Sequence, residues 1–282
     1  MRTSRDGRRR GLPVLRQRVA HAGAAPRPAP VRGLAIDLGS SGARAWVPGR
    51  GLVADGPAGW QDHAGRPVRR GRIVDAASCA GLLGRLADTA LGDHRQDSVI
   101  VLSHPVLAGR EHRTLAGELL AALGAFGAVV VNSASAVAAS VGLLGSGPVL
   151  VVDMGAELTE VAVLVDGRVV DARQADAGLS DLAPRTLPAE LVRSVLDMIT
   201  SMWREDQYGA VRGALRRGPV LTGGGALRRD VTDLIAGRLG VPVRIAPDPS
   251  TAVVRGAALI LGSVPAPAAG SGAVSLRPVR LR

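Results

Sequence analysis

Residues 149–170 have the sequence VLVVDMGAELTEVAVLVDGRVV, which predicts a β-hairpin with a tight turn at each end of its second strand. The first four residues are an unbroken apolar run, typical of a strand that is covered on both faces. Residues 159–165 are β-branched and partly alternating, and Asp166-Gly167 is a strong two-residue hairpin signal. The turn Asp153-Met154-Gly155-Ala156-Glu157 joins the first two strands. There a glycine backbone can approach a phosphate, and an aspartate can hold a metal ion through water.

The same layout occurs once more, 116 residues earlier in the chain. A buried strand at residues 33–36 runs into DLGSSG, residues 37–42, and another strand and a Pro-Gly-Arg-Gly turn follow. Two copies of one hairpin predict a duplicated, two-lobed architecture. Strands alternate with helices through the rest of the chain, which indicates an α/β fold with mixed sheets. The apolar spacing predicts helices at residues 75–91, 111–123, 134–144, 189–203, 227–239 and 250–261.

A third glycine turn, Thr222-Gly223-Gly224-Gly225, follows a strand predicted at residues 219–221. An Asp-x-Gly or Gly-Gly-Gly turn alone is ordinary turn chemistry. Here DLGSSG, DMGAELTE and LTGGGALRR each follow a buried strand directly, in that order. This arrangement predicts a cleft between two lobes, in which two hairpins hold the phosphates of a nucleotide. The third turn leads into a helix N-terminus and lets the backbone approach the ribose and α-phosphate.

These motifs resemble those of the actin/heat-shock-chaperone/sugar-kinase superfamily and, within it, the MreB family of bacterial actin homologues. The resemblance covers roughly residues 33–262 and includes AIDLG, VVDMG, LTEVAV and VLTGGGAL. It implies a duplicated, two-lobed actin-like (ribonuclease H-like) fold that binds ATP with Mg²⁺, where Asp37 and Asp153 face the metal ion through water. The nucleotide-binding residues that it implies are Asp37, Gly39, Ser40, Ser41, Gly42, Asp153, Gly155, Thr159, Gly223, Gly224 and Gly225.

The sequence departs from this family at three places. Ala156 and Glu157 stand where the family has glycines, so we expect the Glu157 carboxylate to repel a triphosphate unless a metal ion intervenes or the side chain points away. The family's water-orienting glutamate is replaced near Ser135, where the sequence Asn-Ser-Ala-Ser holds no acid. Residues 171–188, predicted as a link without a strand, are too short for the family's small subdomain. We therefore expect weak or lost ATP hydrolysis and name no catalytic residue.

The resemblance predicts a divergent, shortened MreB-like cytoskeletal or scaffold protein, which is involved in cell shape and cell-wall synthesis. Its expected partners are further copies of itself or full-length MreB-like proteins. Two alternatives stay open. One is a small-molecule kinase or phosphatase of the same superfamily, and the other is a chaperone-like or pilus-assembly nucleotide-binding adaptor. A kinase needs an acceptor-activating carboxylate and an inserted substrate domain, and the sequence shows neither.

The charge of the chain is concentrated at its ends. Residues 1–32 hold nine Arg and one Asp, and residues 263–282 hold three Arg and no acid. These two ends account for the whole net charge of +11, so the stretch between them carries no net charge. We predict a disordered basic arm at 1–32, lobe I at 33–148, lobe II at 149–262 and a disordered tail at 263–282. No aromatic residue lies among the arginines of the arm, so specific nucleic-acid binding is not expected. Contact of the arm with anionic lipid stays open.

The remaining composition excludes several classes of protein. A single cysteine, Cys79, excludes an intramolecular disulfide framework and fits a reducing compartment. No run of about 18 apolar residues and no signal-peptide core is present. These features predict a cytoplasmic protein, which can also lie at the inner face of the membrane. The five histidines follow no metal-ligand spacing, so surface or structural roles are expected for them.

Overall fold

The structure is a computed structural model, and it describes residues 32–56, 66–182 and 188–264. The predicted basic arm up to residue 31 and the tail from residue 265 lie outside these ranges, so the expectations for them stay predictions. Within the described ranges, no helix is both long enough and apolar enough to cross a membrane.

The first half of the fold, residues 33–148, is built on a five-stranded mixed sheet with the strand order β3-β2-β1-β6-β7. The strands β1, β2 and β3 form an antiparallel meander, and β6 and β7 run parallel to β1. The elements are β1 (Gly33–Gly39), β2 (Gly42–Val47), β3 (Gly51–Gly56), β4 (Val68–Arg69), β5 (Arg72–Ile73), α1 (Ala76–Leu91), β6 (Val99–His104), α2 (Arg110–Ala121), β7 (Gly127–Asn132) and α3 (Ser133–Ser140).

The second half, residues 149–262, repeats this topology with the strand order β10-β9-β8-β11-β12. Again the first three strands form an antiparallel meander, and the last two add in parallel to the first. The elements are β8 (Val149–Met154), β9 (Thr159–Val165), β10 (Arg168–Ala175), α4 (Ala189–Arg204), α5 (Ala210–Arg217), β11 (Val220–Thr222), α6 (Arg229–Leu239), β12 (Arg244–Ile245) and α7 (Ala252–Gly262). The duplication and the mixed sheets that the sequence predicted are confirmed.

Three apolar clusters arrange the two sheets and their helices in layers. One cluster packs α1 and α2 on the outer face of the first sheet, and another packs α4, α5 and α6 on the outer face of the second. The third lies between the sheets and contains α3 and α7. Helices α3 and α7 therefore connect the two halves through buried apolar contacts, which are the main stabilising contribution to such an arrangement.

The crossing of α3 and α7 depends on small residues. Both helices are rich in alanine, and Gly256 of α7 lies directly against the backbone of Ala136 in α3. A Cβ atom built at Gly256 would lie 2.5 Å from the Ala136 carbonyl carbon and would collide with its oxygen. Glycine at position 256 therefore allows the two helices to pack closely.

The link predicted without a strand at residues 171–188 is partly wrong. Strand β10 continues through it to Ala175, because Asp171 to Ala175 pair in register with β9. A bulge after Val169 shifts this register and interrupts the alternation that would have revealed the strand. Between β10 and α4 the described residues form only a short 3₁₀ turn, Leu179–Asp181. The segment of residues 176–188 is therefore too short to hold a further subdomain.

Several predicted boundaries also change. Helix α3 ends at Ser140 rather than residue 144, since Gly142 adopts a left-handed backbone conformation with φ of 70°. The helix predicted from residue 227 is split into a 3₁₀ turn, Gly224–Leu227, and α6. The last strand, β12, has only two residues, because Pro242 just before it lacks the N–H group that a ladder requires. Helix α5 and the β4–β5 hairpin were not predicted.

Candidate functional site

A cavity of about 340 Å³ opens between the two halves, at the ends of strands β1 and β8. This volume is at the lower end of the range for small-molecule sites. The turn after β1 forms one wall and the turn after β8 forms another, and the Gly223 turn contributes from the second half. The three glycine turns, which lie far apart in the sequence, therefore meet around one cavity.

Most of the predicted nucleotide-binding residues line this cavity. They are Asp37, Gly39, Ser40, Ser41, Asp153, Gly155, Gly223 and Gly224. The remaining three, Gly42, Thr159 and Gly225, are buried behind the cavity wall. The Thr159 hydroxyl donates to the carbonyl of Ala177 (2.8 Å), and Gly225 packs against the Met154 side chain, where a Cβ would come within 2.5 Å. These contacts help to shape the turns, and the expected contact of the three residues with a nucleotide stays a prediction.

The carboxylate of Asp37 is held from two sides. The Ser103 hydroxyl donates a hydrogen bond to its Oδ1 atom (2.6 Å), and the Arg44 guanidinium lies 3.9 Å from its Oδ2 atom. Arg44 is the cross-strand partner of Asp37 in the β1–β2 pair, so the two side chains share one face of the sheet. Burial raises the pKa of Asp37, while the hydrogen bond from Ser103 and the charge of Arg44 oppose that rise.

Asp153 lies beside a carboxylate, whereas Asp37 lies beside the Arg44 guanidinium. The cross-strand partner of Asp153 in the β8–β9 pair is Glu160, which also lines the cavity. Burial raises the pKa of Asp153 to about 8, and the negative charges of Glu160 and Asp37 add to the rise. Burial likewise raises the pKa of Glu160 to about 7, against the hydrogen bonds that its carboxylate accepts. The cavity floor thus concentrates three acidic groups that favour a proton or a cation.

Glu160 is the acidic residue that the sequence reasoning missed. Its Oε2 accepts a hydrogen bond from the Ser133 hydroxyl (2.9 Å) and its Oε1 accepts one from the Val106 backbone N–H (2.6 Å). Ser133 begins α3, the helix before which the family's glutamate was expected near Ser135. Ser135 itself is buried and does not line the cavity. A carboxylate therefore does stand beside the start of α3, although it is contributed by the neighbouring strand β9.

The donor set suits Mg²⁺ held through water. Mg²⁺ keeps several water ligands and takes one or two carboxylates together with substrate phosphates. The cavity offers Asp37 and Asp153 from the ends of two equivalent strands, and burial raises the pKa of both, so a nearby cation would offset the cost of their ionised form. Among the described residues, no group of three or more His, Cys, Asp or Glu side chains is arranged to hold a metal ion directly.

The Gly223 turn requires glycine. Gly223 has φ of 79°, and a Cβ there would lie 2.5 Å from Oδ1 of Asp153 and collide with the Met154 carbonyl. The Gly223 N–H donates to the carbonyl of Pro249 (2.9 Å), which also accepts the Thr222 hydroxyl (2.9 Å). These contacts press the glycine backbone against the acidic floor of the cavity, so that a ligand in the cavity meets backbone there rather than a side chain.

Two further features of the cavity were not expected. His104 lines it from the end of β6, and burial lowers the pKa of its imidazole. The Glu157 side chain points toward the first half, where Arg66 and the backbone of Arg70 bind its carboxylate. The sequence left open that this side chain points away from the phosphates; here it turns to the first half, where the Arg66 guanidinium offsets its charge, and its effect on a bound triphosphate stays a prediction.

Comparisons with known proteins show what this chain is similar to in fold and in part of its sequence. The family model of MreB/Mbl protein matches residues 176–267. The crystal structure of MreB 5 of Spiroplasma citri bound to AMPPNP superposes with a TM-score of 0.65 and 17% identity, over 81% of this chain and 95% of that chain. The ADP-bound structure of the same protein gives a TM-score of 0.64 and 18% identity, over 80% and 94% of the two chains.

The ethanolamine utilization protein EutJ from Carboxydothermus hydrogenoformans is also similar in fold, with a TM-score of 0.54 and 19% identity over 83% of this chain and 91% of that chain. No curated protein sequence gives a significant match. The predicted actin-like fold and the resemblance to MreB are confirmed.

Proposed function

We propose that the chain binds a nucleoside di- or triphosphate with Mg²⁺ in the cavity between its halves, and that it is an MreB-like scaffold protein in cell shape and cell-wall synthesis. The single observation that carries the proposal is the meeting of the turns at Asp37, Asp153 and Gly223 around one cavity. The nucleotides in the two Spiroplasma citri structures support the ligand class. The match of residues 176–267 to the MreB/Mbl model favours a scaffold role over the kinase and adaptor alternatives.

In this proposal each group has a physical role. Asp37 and Asp153 would hold the Mg²⁺ ion, which neutralises phosphate charge when bound. Ser40, Ser41 and the backbone of Gly39 and Gly155 would contact the phosphates, because small residues and N–H groups allow close approach. The Gly223 and Gly224 backbone would contact the nucleoside. Association with further copies of the chain or with full-length MreB-like proteins completes the proposal, and contact of the basic arm with a membrane stays a prediction.

Nucleotide binding is tested best at Gly39. A Cβ there meets only the Gly42 carbonyl, at an ordinary 3.4 Å, so the fold tolerates alanine while a methyl group enters the phosphate turn. We expect Gly39→Ala to weaken Mg-ADP and Mg-ATP binding at least about tenfold in titration calorimetry. Gly237→Ala in α6, where a Cβ meets nothing within 4 Å, is the matched control and should bind like the unaltered protein. No binding by the unaltered chain would refute the proposal.

ATP hydrolysis is expected to be weak or absent. Both Glu160 oxygens already accept hydrogen bonds, one from the Ser133 hydroxyl and one from the Val106 N–H group, so the protein holds this carboxylate through contacts that a water-orienting base would have to share. The unaltered protein should therefore release phosphate from Mg-ATP no faster than the Asp153→Ala variant does. Steady turnover that Glu160→Gln abolishes would show instead that Glu160 acts as the base.

A further inference from the structure

The β4–β5 hairpin of the first half crosses the mouth of the cavity and contacts the second half. Its turn residues Arg70 and Gly71 both have positive φ, of 46° and 70°. Gly71 lies so close to Leu158 and Pro105 that a Cβ would come within 2.7 Å of each. The hairpin is therefore packed tightly against the phosphate turn after β8.

Glu157 is the acceptor at the centre of this contact. Arg66 Nη1 donates to its Oε1 (3.1 Å), and the backbone N–H of Arg70 donates to its Oε2 (3.2 Å). The Glu157 side chain is only 17% exposed, whereas that of Arg66 is 49% exposed. The carboxylate is thus held between the two halves and lines the cavity with Gly71.

The Arg70 guanidinium extends the same contact along the second half. Its Nη1 donates to the carbonyls of Glu157 (3.5 Å) and Asp176, and its Nη2 lies 3.1 Å from Oδ1 of Asp181. Asp181 belongs to the 3₁₀ turn that covers the phosphate turn, where the N–H groups of Leu179 and Ser180 donate to Gly155 and Ala156. We call the four residues Arg66, Arg70, Glu157 and Asp181 the cleft latch.

We propose that the Glu157 carboxylate serves as an internal substitute for a ligand phosphate: it binds the first-half arginines across the cleft, keeps the halves closed without nucleotide, and disfavours a triphosphate relative to a diphosphate. A phosphate that reaches this end of the cavity must compete with Glu157 for Arg66 and for the Arg70 N–H group. The triphosphate, being longer and more highly charged, meets this competition more strongly. The part about nucleotide preference rests on the proposed function, and the part about closure does not.

The closure is tested on the full chain without nucleotide, by hydrogen exchange of the backbone amides at residues 39–41 and 155–158. We expect Glu157→Gln and Arg70→Gln to speed this exchange about tenfold, and 0.5 M NaCl to shift the unaltered protein the same way, because exposed ion pairs are screened by salt. Arg228→Gln is the matched control. It breaks the ion pair of Arg228 with Asp230, whose side chains are about as exposed as those of Arg70 and Asp181 but lie within one half. The exchange at residues 39–41 and 155–158 should therefore stay unchanged.

Nucleotide preference is tested by calorimetry with Mg-ADP and Mg-ATP. We expect Glu157→Gln to raise the ratio of ATP affinity to ADP affinity about tenfold, and Asp181→Asn, which keeps the carboxylate at Glu157, to raise it less. Unchanged exchange rates in both latch variants would refute the closure, and an unchanged affinity ratio would refute the phosphate substitution. If neither the unaltered protein nor any variant binds either nucleotide, the proposed function fails. The exchange rates then still decide whether the cleft latch keeps the two halves closed.

Discussion

Replacing Gly256 with alanine is expected to lower the free energy of unfolding by at least about 3 kcal/mol. The added methyl group would overlap the Ala136 backbone, and no rotamer change can relieve a collision between Cβ and a carbonyl group. Helices α3 and α7 must therefore separate, which opens the apolar cluster between the two sheets. A loss of this size lowers the melting temperature of a domain of this length by roughly 10 °C, which thermal unfolding followed by circular dichroism measures.

Gly84→Ala in α1 is the matched control for this change. Gly84 is also a helical glycine, but a Cβ there meets nothing within 4 Å, so alanine should add helix propensity and stabilise the protein by about 0.5–1 kcal/mol. The two substitutions are chemically identical and differ only in what the methyl group meets. If Gly256→Ala leaves the melting temperature unchanged, helices α3 and α7 are farther apart at Gly256 and Ala136 than in this structure.

The sequence predicts the parts of this fold that depend on local pattern. Apolar runs and turn residues identify β1, β2, β8 and β9, and the repeat of Asp-x-Gly hairpins identifies the duplication before any contact is known. The same reasoning brings Asp37, Asp153 and Gly223 to one cleft. Each strand and turn is recognised from residues within about ten positions of one another, where strand period and turn chemistry dominate, and only the comparison of the motifs spans the chain.

The parts that were missed depend on contacts between distant segments. Arg66 and Arg70 meet Glu157 across about 90 positions, and nothing near either segment indicates that pairing. Helix α5 was missed for another reason, because its eight residues between Gly209 and Gly218 are too few for a periodic pattern to stand out. Glu160 is the exception that could have been found. A tight turn after Asp153 fixes the register of the hairpin, and cross-strand partners share one face.

That register reveals how the two copies of the hairpin have diverged. Asp37 pairs with Arg44, and at the equivalent place in the second copy Asp153 pairs with Glu160. One aspartate therefore faces a cation and the other faces a second carboxylate, although both end equivalent strands. The negative charge at the cavity floor is uneven for this reason, and Asp153 is the group whose ionisation a bound cation would favour most.

Asp153→Asn is expected to stabilise the metal-free protein increasingly as the pH rises from 5 to about 8, and by a constant amount above that. The pKa of Asp153 is about 8 in the folded state, against an ordinary value of 3.8, so the folded state holds a proton that the unfolded chain has lost. Where the folded state binds more protons, stability falls as the pH rises, here between about pH 4 and pH 8. Each pKa unit corresponds to about 1.4 kcal/mol, so the gain at pH 9 should be on the order of several kcal/mol.

Chemical unfolding in EDTA at several pH values measures this difference, because asparagine keeps the shape of the side chain but cannot ionise. Asp230→Asn is the control: Asp230 is exposed, and its pKa is lowered by Arg228, so the substitution should not stabilise the protein at high pH. Addition of Mg²⁺ with nucleotide should have the opposite effect and stabilise the unaltered protein more than Asp153→Asn at pH 8, since the variant keeps Asp37 but loses the second carboxylate that attracts the cation. A difference between the two proteins that stays constant from pH 5 to 9 would mean that Asp153 is ionised at ordinary pH, and that Arg44 and water compensate its neighbours.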